Sequence, residues 1–378
     1  MNILIASDKF KDACSAEQVG QSLQTGIKKT FPEANITVLP LADGGEGTLE
    51  ALATSLNATW IETETKDPLF RKINATYLYQ EAESRAIIEM SRASGFELLE
   101  AHERNCMFTS SLGTGLQIVD AIKKGAKEVV LTVGGTATND AALGIAFALG
   151  VQFLDMDGKS LCPTGENLVK VYSIDFSNSI FNKSTCKFKI ATDVENPFYG
   201  PKGAAFVFAA QKGAGDKEIE HLDAGLKNIC SIFEKQGLPS PALVKGSGAG
   251  GGVSGGLYAM FGAEIFSAAD WVLELNSIDK ILKNTDVLIT GEGKVDSQTW
   301  DGKLIARLLH LAHKNQTKSV IMCGTLADIE QIPTDMGIVH VSSIIHKPMS
   351  LAQALADTKK LLIEHGMLLG HYLKNNVK

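Results

Sequence analysis

The sequence predicts an α/β protein in which a doubly wound parallel sheet domain is interrupted by a second, inserted α/β domain. Short apolar strands alternate with amphipathic helices in the first 56 residues, and the same alternation returns near residue 287. Between these regions the strand and helix candidates are spaced less regularly. At 378 residues the chain is also longer than one hydrophobic core usually supports. We therefore expect one domain from residues 1–65 plus 284–378 and an inserted domain from residues 66–283.

The amino-terminal elements begin this alternation. Strands are predicted at Asn2–Ala6 and Ile36–Leu39. Ser15 precedes the first helix, and Gln18 three positions later completes a capping-box pattern. A second helix is predicted over Thr48–Leu56.

The carboxyl-terminal elements repeat this alternation of strands and helices. The predicted strands are Val287–Thr290, Ser319–Cys323 and Val339–Ile344, and the predicted helices are Leu304–His313 and one that Ser350 caps and Gly366 ends. Repeated strand–helix units favour a mostly parallel sheet with helices on both faces.

The central region supplies the elements of the inserted domain. Its predicted strands are Ile73–Tyr79, Ala86–Met90, Val129–Val133, Phe188–Thr192 and Ala205–Phe208, and its predicted helices are Gly115–Lys124, Ala141–Leu149 and Lys217–Gln236.

Composition restricts the classes of function. A formal net charge of −7 disfavours a nucleic-acid-binding protein, which usually carries a basic face. No apolar run approaches the roughly 20 residues of a membrane span, and the amino terminus lacks the pattern of a signal peptide. The six cysteines are scattered without a CxxC pair, as expected for reduced thiols. We expect a cytoplasmic protein with no membrane or nucleic-acid partner. The sequence leaves open whether it forms a homodimer.

Polar stretches, two of them rich in glycine, follow three predicted strands of the first domain. These stretches are SDKFK at residues 7–11, DGGEGT at 43–48 and GEGKVD at 291–296. In an open parallel sheet, ligands bind beyond the carboxyl ends of the strands, so the stretches should share one edge. Glycine and aspartate are also ordinary turn residues, which is the simpler interpretation of any one stretch.

This combination of residues suits phosphoryl transfer. Carboxylates can hold Mg²⁺, lysines offset phosphate charge, and glycines let backbone amides approach phosphate oxygens. A further carboxylate can accept the proton of an attacking hydroxyl group.

Glycine-rich stretches of the central region could contact a nucleotide. GGTATND at residues 134–140 and SSLGTG at 110–115 each precede a predicted helix. The run at 246–256 contains a GxGxxG pattern, but the apolar stretch before it is too short for a convincing dinucleotide-binding strand. Neither a GxxxxGK[ST] loop nor the protein-kinase motifs are present.

Taken in order, these stretches resemble the two-domain glycerate kinases of bacterial glyoxylate and galactarate metabolism. The matching stretches are 8–11 with 15–16, 42–48, 67–71, 88–90 with 93–95, 109–115, 134–140, 193–197 with 200–203, 246–256, and 291–298 with 302–303. The resemblance implies a flavodoxin-like first domain and an active-site cleft between the two domains. It also implies ATP-dependent phosphorylation of D-glycerate with Mg²⁺; 2-phosphoglycerate is favoured as the product, and 3-phosphoglycerate remains open.

This chain departs from the family pattern at three places. Ala141 and Ala142 replace two glycines, the glycine run differs in register, and Leu304 to Arg307 replace a Pro-x-Gly-Val stretch. None of these changes removes a carboxylate or lysine of the predicted site.

The residues of the predicted site fall into four groups. The catalytic candidates are Asp193, Asp43, Asp296 and Lys11, the first three being alternatives for the general base. The substrate-binding candidates are Asp8, Lys9, Arg71, Ser110 and Ser111, and Arg71 would hold the glycerate carboxylate. The ATP-binding candidates are Gly134, Gly135, Thr136, Thr138, Asn139, Gly248, Gly250 and Gly251, and the metal candidates are Glu46, Glu292 and Asp296.

Two other functions remain as alternatives. A nicotinamide-dependent oxidoreductase of small hydroxy acids would need a strand directly before Gly246 and an acidic residue about 20 positions after the motif. A non-catalytic sensor of a phosphorylated acid would need the anion-binding turns but not the carboxylates.

Overall fold

A computed structural model describes residues 1–42, 44–53, 55–300 and 304–376. Asp43, Gly302 and Lys303, which belong to the predicted motifs, lie outside this description. The chain divides into two compact units. Unit 1 consists of Met1–Asp43, Glu50–Ser55 and Ala269–Lys378, and unit 2 of Gly44–Leu49 and Leu56–Ala268.

The regular elements are numbered in chain order. The strands are β1 (Asn2–Ile5), β2 (Asn35–Val38), β3 (Thr59–Lys66), β4 (Lys72–Gln80), β5 (Arg85–Glu89), β6 (Glu128–Thr132), β7 (Gln152–Leu154), β8 (Ser173–Asp175), β9 (Lys187–Ala191), β10 (Glu264–Phe266), β11 (Val287–Val295), β12 (Lys318–Leu326) and β13 (Ile338–Ser343). The helices are α1 (Ala16–Thr30), α2 (Thr48–Ala53), α3 (Ser91–Ser94), α4 (Leu112–Lys123), α5 (Leu143–Ala148), α6 (Ala204–Phe208), α7 (Asp216–Lys235), α8 (Val253–Phe261), α9 (Ala268–Leu275), α10 (Ile278–Leu282), α11 (Leu304–Lys314), α12 (Leu351–Ala356) and α13 (Thr358–Asn376). Among the described helices, none combines the length and apolar character that crossing a bilayer requires.

Unit 1 is built on a parallel sheet with the strand order β2-β1-β11-β12-β13. Counted in order along unit 1, the strands lie in the order 2-1-3-4-5, which is the flavodoxin-like arrangement. Strands β1 and β11 flank the point at which the order of the strands reverses. The predicted doubly wound α/β class is confirmed.

Helices cover both faces of this sheet. On one face Ile3 and Ile289 of the sheet pack with Leu23 of α1 and Leu369 of α13 in a single buried cluster. On the other face the core includes Leu309 of α11. The apolar side chains therefore alternate between two buried surfaces, as the continuous hydrophobic strands predict.

Unit 2 contains a mixed six-stranded sheet in the order β10-β9-β6-β5-β4-β3. Strands β5, β6, β9 and β10 run parallel to one another, whereas β4 is antiparallel to both of its neighbours, β3 and β5. Strands β7 and β8 form a separate two-stranded sheet. The parallel part places the ends of four strands, and the loops that follow them, along one edge.

The units differ from the predicted domains at both boundaries. Strand β3 pairs along its whole length with β4, so residues 56–65 belong to unit 2 rather than to the first domain. Residues 269–283 belong instead to unit 1, where Asn276 accepts a hydrogen bond of 2.6 Å from Ser55 Oγ. The turn at 44–49 belongs to unit 2 although the segments on either side belong to unit 1.

Two predicted elements were wrong. The apolar run Ala205–Phe208 is helix α6 and not a strand, because a run of four apolar residues carries no periodicity that separates the two. Gly366 does not end a helix but lies inside α13. A β-carbon at Gly366 would lie 2.7 Å from the Leu23 carbonyl oxygen, so this glycine permits close packing of α13 against α1.

Candidate active site

In unit 1 the loop after β1 lies beside the carboxyl-terminal half of β11 at the switch point of the sheet. The strand predicted over Val287–Thr290 continues to Val295, so residues 291–295 pair with β12 and do not form the predicted turn. The Asp8 amide donates a 3.1 Å hydrogen bond to the Gly291 carbonyl oxygen. A β-carbon at Gly293 would lie 3.5 Å from the Lys11 nitrogen. The predicted neighbourhood of residues 7–11 and 291–296 is therefore present, and it follows from parallel pairing of the two strands.

A buried threonine bonds to both acidic residues at the carboxyl end of β11, to the side chain of Glu292 and to the backbone of Asp296. Thr299 is 2% exposed, and its hydroxyl group donates a 2.7 Å hydrogen bond to Glu292 Oε1. The same hydroxyl oxygen accepts a 3.1 Å bond from the Asp296 amide. Lys294 pairs with Asp296 at 2.8 Å, which raises the pKa of Lys294. Thr299 thus fixes both acidic residues relative to the end of β11.

The residues after β1 add charge of both signs. Asp8 and Lys9 are half-buried, and Asp8 Oδ1 accepts a 2.6 Å bond from the Lys9 amide. Lys11 is exposed. This edge of unit 1 therefore carries carboxylates and ammonium groups together, which is the chemistry that a magnesium-bound phosphate requires.

In unit 2 a buried glutamate holds the glycine turn at 44–49. Glu89, at the end of β5, is 1% exposed. Its carboxylate accepts bonds of 3.3 Å from the amides of Gly47 and Leu49. Ser91 Oγ donates to the same carboxylate at 2.6 Å. The half-buried Glu46 lies within the turn that Glu89 stabilises.

The loop after β6 lies at the same edge of the unit 2 sheet as the turn at 44–49. A β-carbon at Gly134 would lie 2.6 Å from the Cα of Gly45, so the turn and this loop are in contact. Thr138 and Asn139 are fully buried. Among the described residues, Thr138 Oγ1 and both polar atoms of the Asn139 side chain have no hydrogen-bond partner. Each such atom costs about 1–3 kcal/mol, and such atoms commonly mark functional sites.

The chain leaves this loop in an unusual backbone conformation. Ala141 and Ala142 have φ values of 51° and 64°, and α5 begins only at Leu143. The predicted helix start at Ala141 is therefore wrong. A left-handed conformation is unfavourable for alanine and natural for glycine, which the resemblance gives as the usual residue at both positions.

The glycine run at 246–252 packs against the same loop. A β-carbon at Gly251 would lie 2.1 Å from the Thr138 carbonyl oxygen, and one at Gly248 would lie 2.3 Å from that of Pro197. The Gly248 amide already donates to the Asn196 carbonyl oxygen at 3.0 Å. Residues 236–252 contain no strand, so the strand that a dinucleotide-binding fingerprint requires is missing. The glycines of this run primarily allow close packing.

Asp193 lies between the ends of β9 and β10. Its Oδ1 accepts a 2.8 Å hydrogen bond from Ser267 Oγ, the first residue after β10. Asp193 is half-buried. A β-carbon at Gly246 would lie 2.8 Å from the Val194 carbonyl oxygen, which places the glycine run beside the loop of Asp193.

Unit 2 thus collects most of its candidates at the carboxyl ends of neighbouring parallel strands. The residues that share this edge are Glu46, Glu89, 134–139, Asp193, the 246–252 run and Ser267.

Three predicted substrate-binding residues are engaged elsewhere. The Arg71 guanidinium group bonds to Asp67 and, at 2.7 Å, to Glu103, which leaves it poorly suited to a substrate carboxylate. Ser110 and Ser111 are fully buried. The Ser111 amide and hydroxyl group each donate a 2.7 Å bond to Asp140 Oδ2, so Ser111 has a structural role.

The donor set fits magnesium with few protein ligands. No cluster of three His, Cys, Asp or Glu side chains suitable for a metal exists among the described residues. Mg²⁺ commonly uses one or two carboxylates together with substrate phosphates, so such a cluster is not required. The oxygen ligands of Glu292 and Asp296, or of Glu46, suit this mode of binding.

Four residues with clear structural roles were not predicted. Glu89 lies inside a matched stretch, residues 88–90, but nothing in the stretch shows that its carboxylate turns toward residues 47–49. Thr299, Ser267 and Lys212 carry no motif that singles them out; Lys212 is buried, and its Nζ donates a 2.7 Å bond to the Thr138 carbonyl oxygen. Their importance depends on hydrogen bonds across the fold, which sequence spacing does not reveal.

Comparisons with known proteins agree on one family. Residues 3–373 match the model of the glycerate kinase family. The chain is 33% identical to a glycerate kinase of Halalkalibacterium halodurans, over 95% of each chain. It is 34% identical to a glycerate 2-kinase of Escherichia coli (strain K12), over 91% of this chain and 89% of the relative. A crystal structure described as glycerate kinase 2 from Salmonella typhimurium LT2 superposes with a TM-score of 0.83 at 32% identity, covering 99% of this chain and 98% of the other.

Proposed function

Since the chain belongs to the glycerate kinase family, we propose that it transfers the terminal phosphoryl group of ATP to D-glycerate with the aid of Mg²⁺. One observation carries the proposal. In unit 1 the loop of Asp8, Lys9 and Lys11 meets the carboxyl-terminal half of β11, which carries Glu292 and is followed by Asp296, at the switch point of the sheet. Ligands of open α/β sheets bind at such a point.

We assign the role of general base to Asp193. It would accept the proton of the glycerate hydroxyl group while that oxygen forms a bond to phosphorus and the bond from phosphorus to the departing ADP oxygen breaks. The hydrogen bond from Ser267 orients the Asp193 carboxylate for this step. Asp296 and Asp43 remain the alternatives.

Other residues would hold the reactants. Lys9 and Lys11 supply positive charge for an anionic substrate, and the loop at 134–139 would bind the ATP phosphates. Glu292 and Asp296 would hold Mg²⁺ on one side, and Glu46 is a further candidate. When bound, Mg²⁺ offsets the charge that develops on the transferred phosphoryl group. Because Arg71, Ser110 and Ser111 are engaged within the protein, we do not assign them to glycerate.

We propose 2-phosphoglycerate as the product. The E. coli relative is named a glycerate 2-kinase, which supports the 2-hydroxyl group as the acceptor. We also propose that the enzyme is cytoplasmic, because all six cysteines are free thiols and five of them are buried.

The test is ADP release by the purified wild-type protein. We expect release only when ATP, Mg²⁺ and D-glycerate are all present, and little with L-glycerate. ADP release at the same rate with and without glycerate would contradict the proposal. Turnover of a nicotinamide without ADP would favour an oxidoreductase, and phosphoglycerate binding without turnover would favour a sensor.

A further inference from the structure

Lys212 is a lysine in the interior of unit 2, where a charged residue is rare. It is 5% exposed and ends a 3₁₀ turn over Ala210–Lys212. Its carbonyl oxygen accepts a 3.1 Å bond from the Cys106 amide. The next residue, Gly213, has a φ of 89°, and a β-carbon there would lie 1.8 Å from the Arg104 carbonyl oxygen. The backbone therefore fixes the point from which the Lys212 side chain extends.

The ammonium group of Lys212 bonds to the loop at 134–139. Lys212 Nζ donates to Thr136 Oγ1 at 3.1 Å and to the Thr138 carbonyl oxygen at 2.7 Å. Both acceptors are uncharged. In the described part of the chain Lys212 forms no ion pair. A buried charge without an opposite charge is unfavourable, so the protein retains an ammonium group here against the cost of its burial.

This loop and the residue that follows it contain buried polar atoms without a hydrogen-bond partner in the part of the chain that the structure describes. They are Thr138 Oγ1, the amide oxygen and nitrogen of Asn139, and Asp140 Oδ1. Asp140 is fully buried, and burial raises its pKa, while the bonds that its Oδ2 accepts from Ser111 and Gly144 oppose the shift. Its charge favours the Lys212 ammonium group, but the Lys212 Nζ bonds to Thr136 and Thr138 and not to this carboxylate. Across the residues that the structure describes, no carboxylate bonds to the Lys212 Nζ. An anionic ligand bound at this loop would supply a negative charge close to that ammonium group.

We propose that Lys212 is a positioning residue for the nucleotide. Its ammonium group holds the loop at 134–139 in the conformation that binds the ATP phosphates, and it places a positive charge behind that loop. The inference rests on the proposed function, since it takes ATP as the ligand. Lys212 acts through Thr136 and Thr138.

The proposal predicts two pH trends of opposite sign. Burial lowers the pKa of Lys212 to about 8, and the nearby Cys106 and Asp140 oppose this shift only in part. Nucleotide affinity should therefore fall as the pH rises through about 8, because the ammonium group is lost. Folding stability should instead rise between pH 8 and the ordinary lysine pKa of about 10.4, since the unfolded chain binds more protons in that window. A lysine with only a structural role produces the second trend alone.

The experiment compares Lys212→Met with Lys217→Met, an exposed lysine five residues away. Calorimetric titration with Mg–ADP at pH 7 should show at least a tenfold loss of affinity in Lys212→Met and none in Lys217→Met. The KM for ATP should rise while the KM for D-glycerate stays constant. Amides of residues 134–139 in the nucleotide-free Lys212→Met protein should exchange hydrogen faster than in the wild type.

The wild type provides an independent check that needs no variant. Its affinity for Mg–ADP should drop between pH 7 and pH 9, and an equal affinity at both values would overturn the inference. So would a folded Lys212→Met protein with wild-type affinity. If Lys212→Met does not fold, Lys212→Gln takes its place. A wild type that binds Mg–ADP but releases no ADP from ATP and D-glycerate contradicts the proposed function instead, and leaves the role of Lys212 in nucleotide binding intact.

Discussion

In unit 2 the carboxylates of Glu89 and Asp140 are buried and bonded to backbone amides, whereas in unit 1 those of Glu292 and Asp296 are half-buried and bonded to side chains. Glu89 accepts from the Gly47 and Leu49 amides. Asp140 accepts from the amides of Ser111 and Gly144. In unit 1, by contrast, Glu292 bonds to the Thr299 hydroxyl group, and Asp296 pairs with the ammonium group of Lys294.

The difference separates carboxylates that build loops from carboxylates suited to chemistry. A buried carboxylate that accepts several amide bonds fixes the backbone and is poorly placed to exchange a ligand. A half-buried carboxylate that accepts a bond from a hydroxyl group keeps a defined direction and stays partly exposed. In unit 2 Asp193 is also half-buried, and it bonds to the Ser267 side chain. It resembles the acidic residues of unit 1, which supports its assignment to chemistry.

The largest expected effect is that of Asp193→Asn. Removing a general base lowers kcat by about 10²–10⁴-fold. The fold should be retained, because the side-chain oxygen of the introduced asparagine can still accept the bond from Ser267. Steady-state kinetics and circular dichroism provide the measurement. Asp157→Asn, which changes an exposed aspartate of the same unit, should keep wild-type turnover. A kcat for Asp193→Asn within about threefold of the wild type, far short of the loss of a general base, would remove Asp193 from the chemistry.

Acid should destabilise unit 1 through His365. Burial lowers the pKa of His365 to about 4, and His340 and His346 reinforce the shift. Because the folded pKa lies below the unfolded value, stability is present above about pH 6.5 and is lost as the pH falls toward 4. The change in the free energy of unfolding should be roughly 2–3 kcal/mol.

Urea unfolding between pH 4 and pH 7 measures this loss. His365→Gln should flatten the dependence, since glutamine can accept or donate the bond to Ser342 without titrating. His313→Gln, at an exposed position, should leave the slope unchanged. Equal slopes for the wild type and His365→Gln would show that another group controls acid sensitivity.

Glu89→Gln tests whether a buried carboxylate builds the turn at 44–49. The amide side chain has one acceptor oxygen in place of two, so the donors at Gly47 and Leu49 cannot both be satisfied in the same way. We expect a local loss of about 1–3 kcal/mol. Native-state hydrogen exchange should show the amides of Gly47 and Leu49 opening about 5–160 times more often. Glu83→Gln at an exposed position is the control, and unchanged exchange in Glu89→Gln would contradict the role.

The smallest effect is expected from Thr299→Val, which removes the hydroxyl group that orients Glu292. Because Glu292 is a proposed metal residue, the Mg²⁺ concentration for half-maximal activity should rise about fivefold, which corresponds to the loss of one hydrogen bond of about 1 kcal/mol. Thr299→Ser keeps the hydroxyl group and should restore the wild-type value. If the valine and serine variants behave alike, the hydroxyl group does not act on the metal site.

The sequence allowed prediction of the parts of the site that depend on strand ends. Strands β1 and β11 are both strongly apolar, and their parallel pairing brings Asp8 next to Gly291. Knowing the two strands and the rule for parallel sheets was sufficient for this contact. The same rule predicts that the loops after β6 and β9 share an edge in unit 2.

Residues that act from inside the fold could not be predicted. Glu89 reaches a turn about 40 positions earlier in the chain, and Lys212 reaches a loop more than 70 positions earlier. Such contacts depend on strand register and on close approaches such as that of Gly134 to Gly45. The left-handed backbone conformation of Ala141 and Ala142 could not be predicted either, because alanine usually favours a helix.

Phosphorus-31 NMR of the wild-type protein with ATP, Mg²⁺ and D-glycerate tests the central claim most directly. We predict a new phosphomonoester signal that grows in equal amount with ADP, split into a doublet by the single proton at carbon 2. A triplet would place the phosphate on the 3-hydroxyl group. ATP that stays intact, or that yields ADP and inorganic phosphate with no ester signal, would contradict the account.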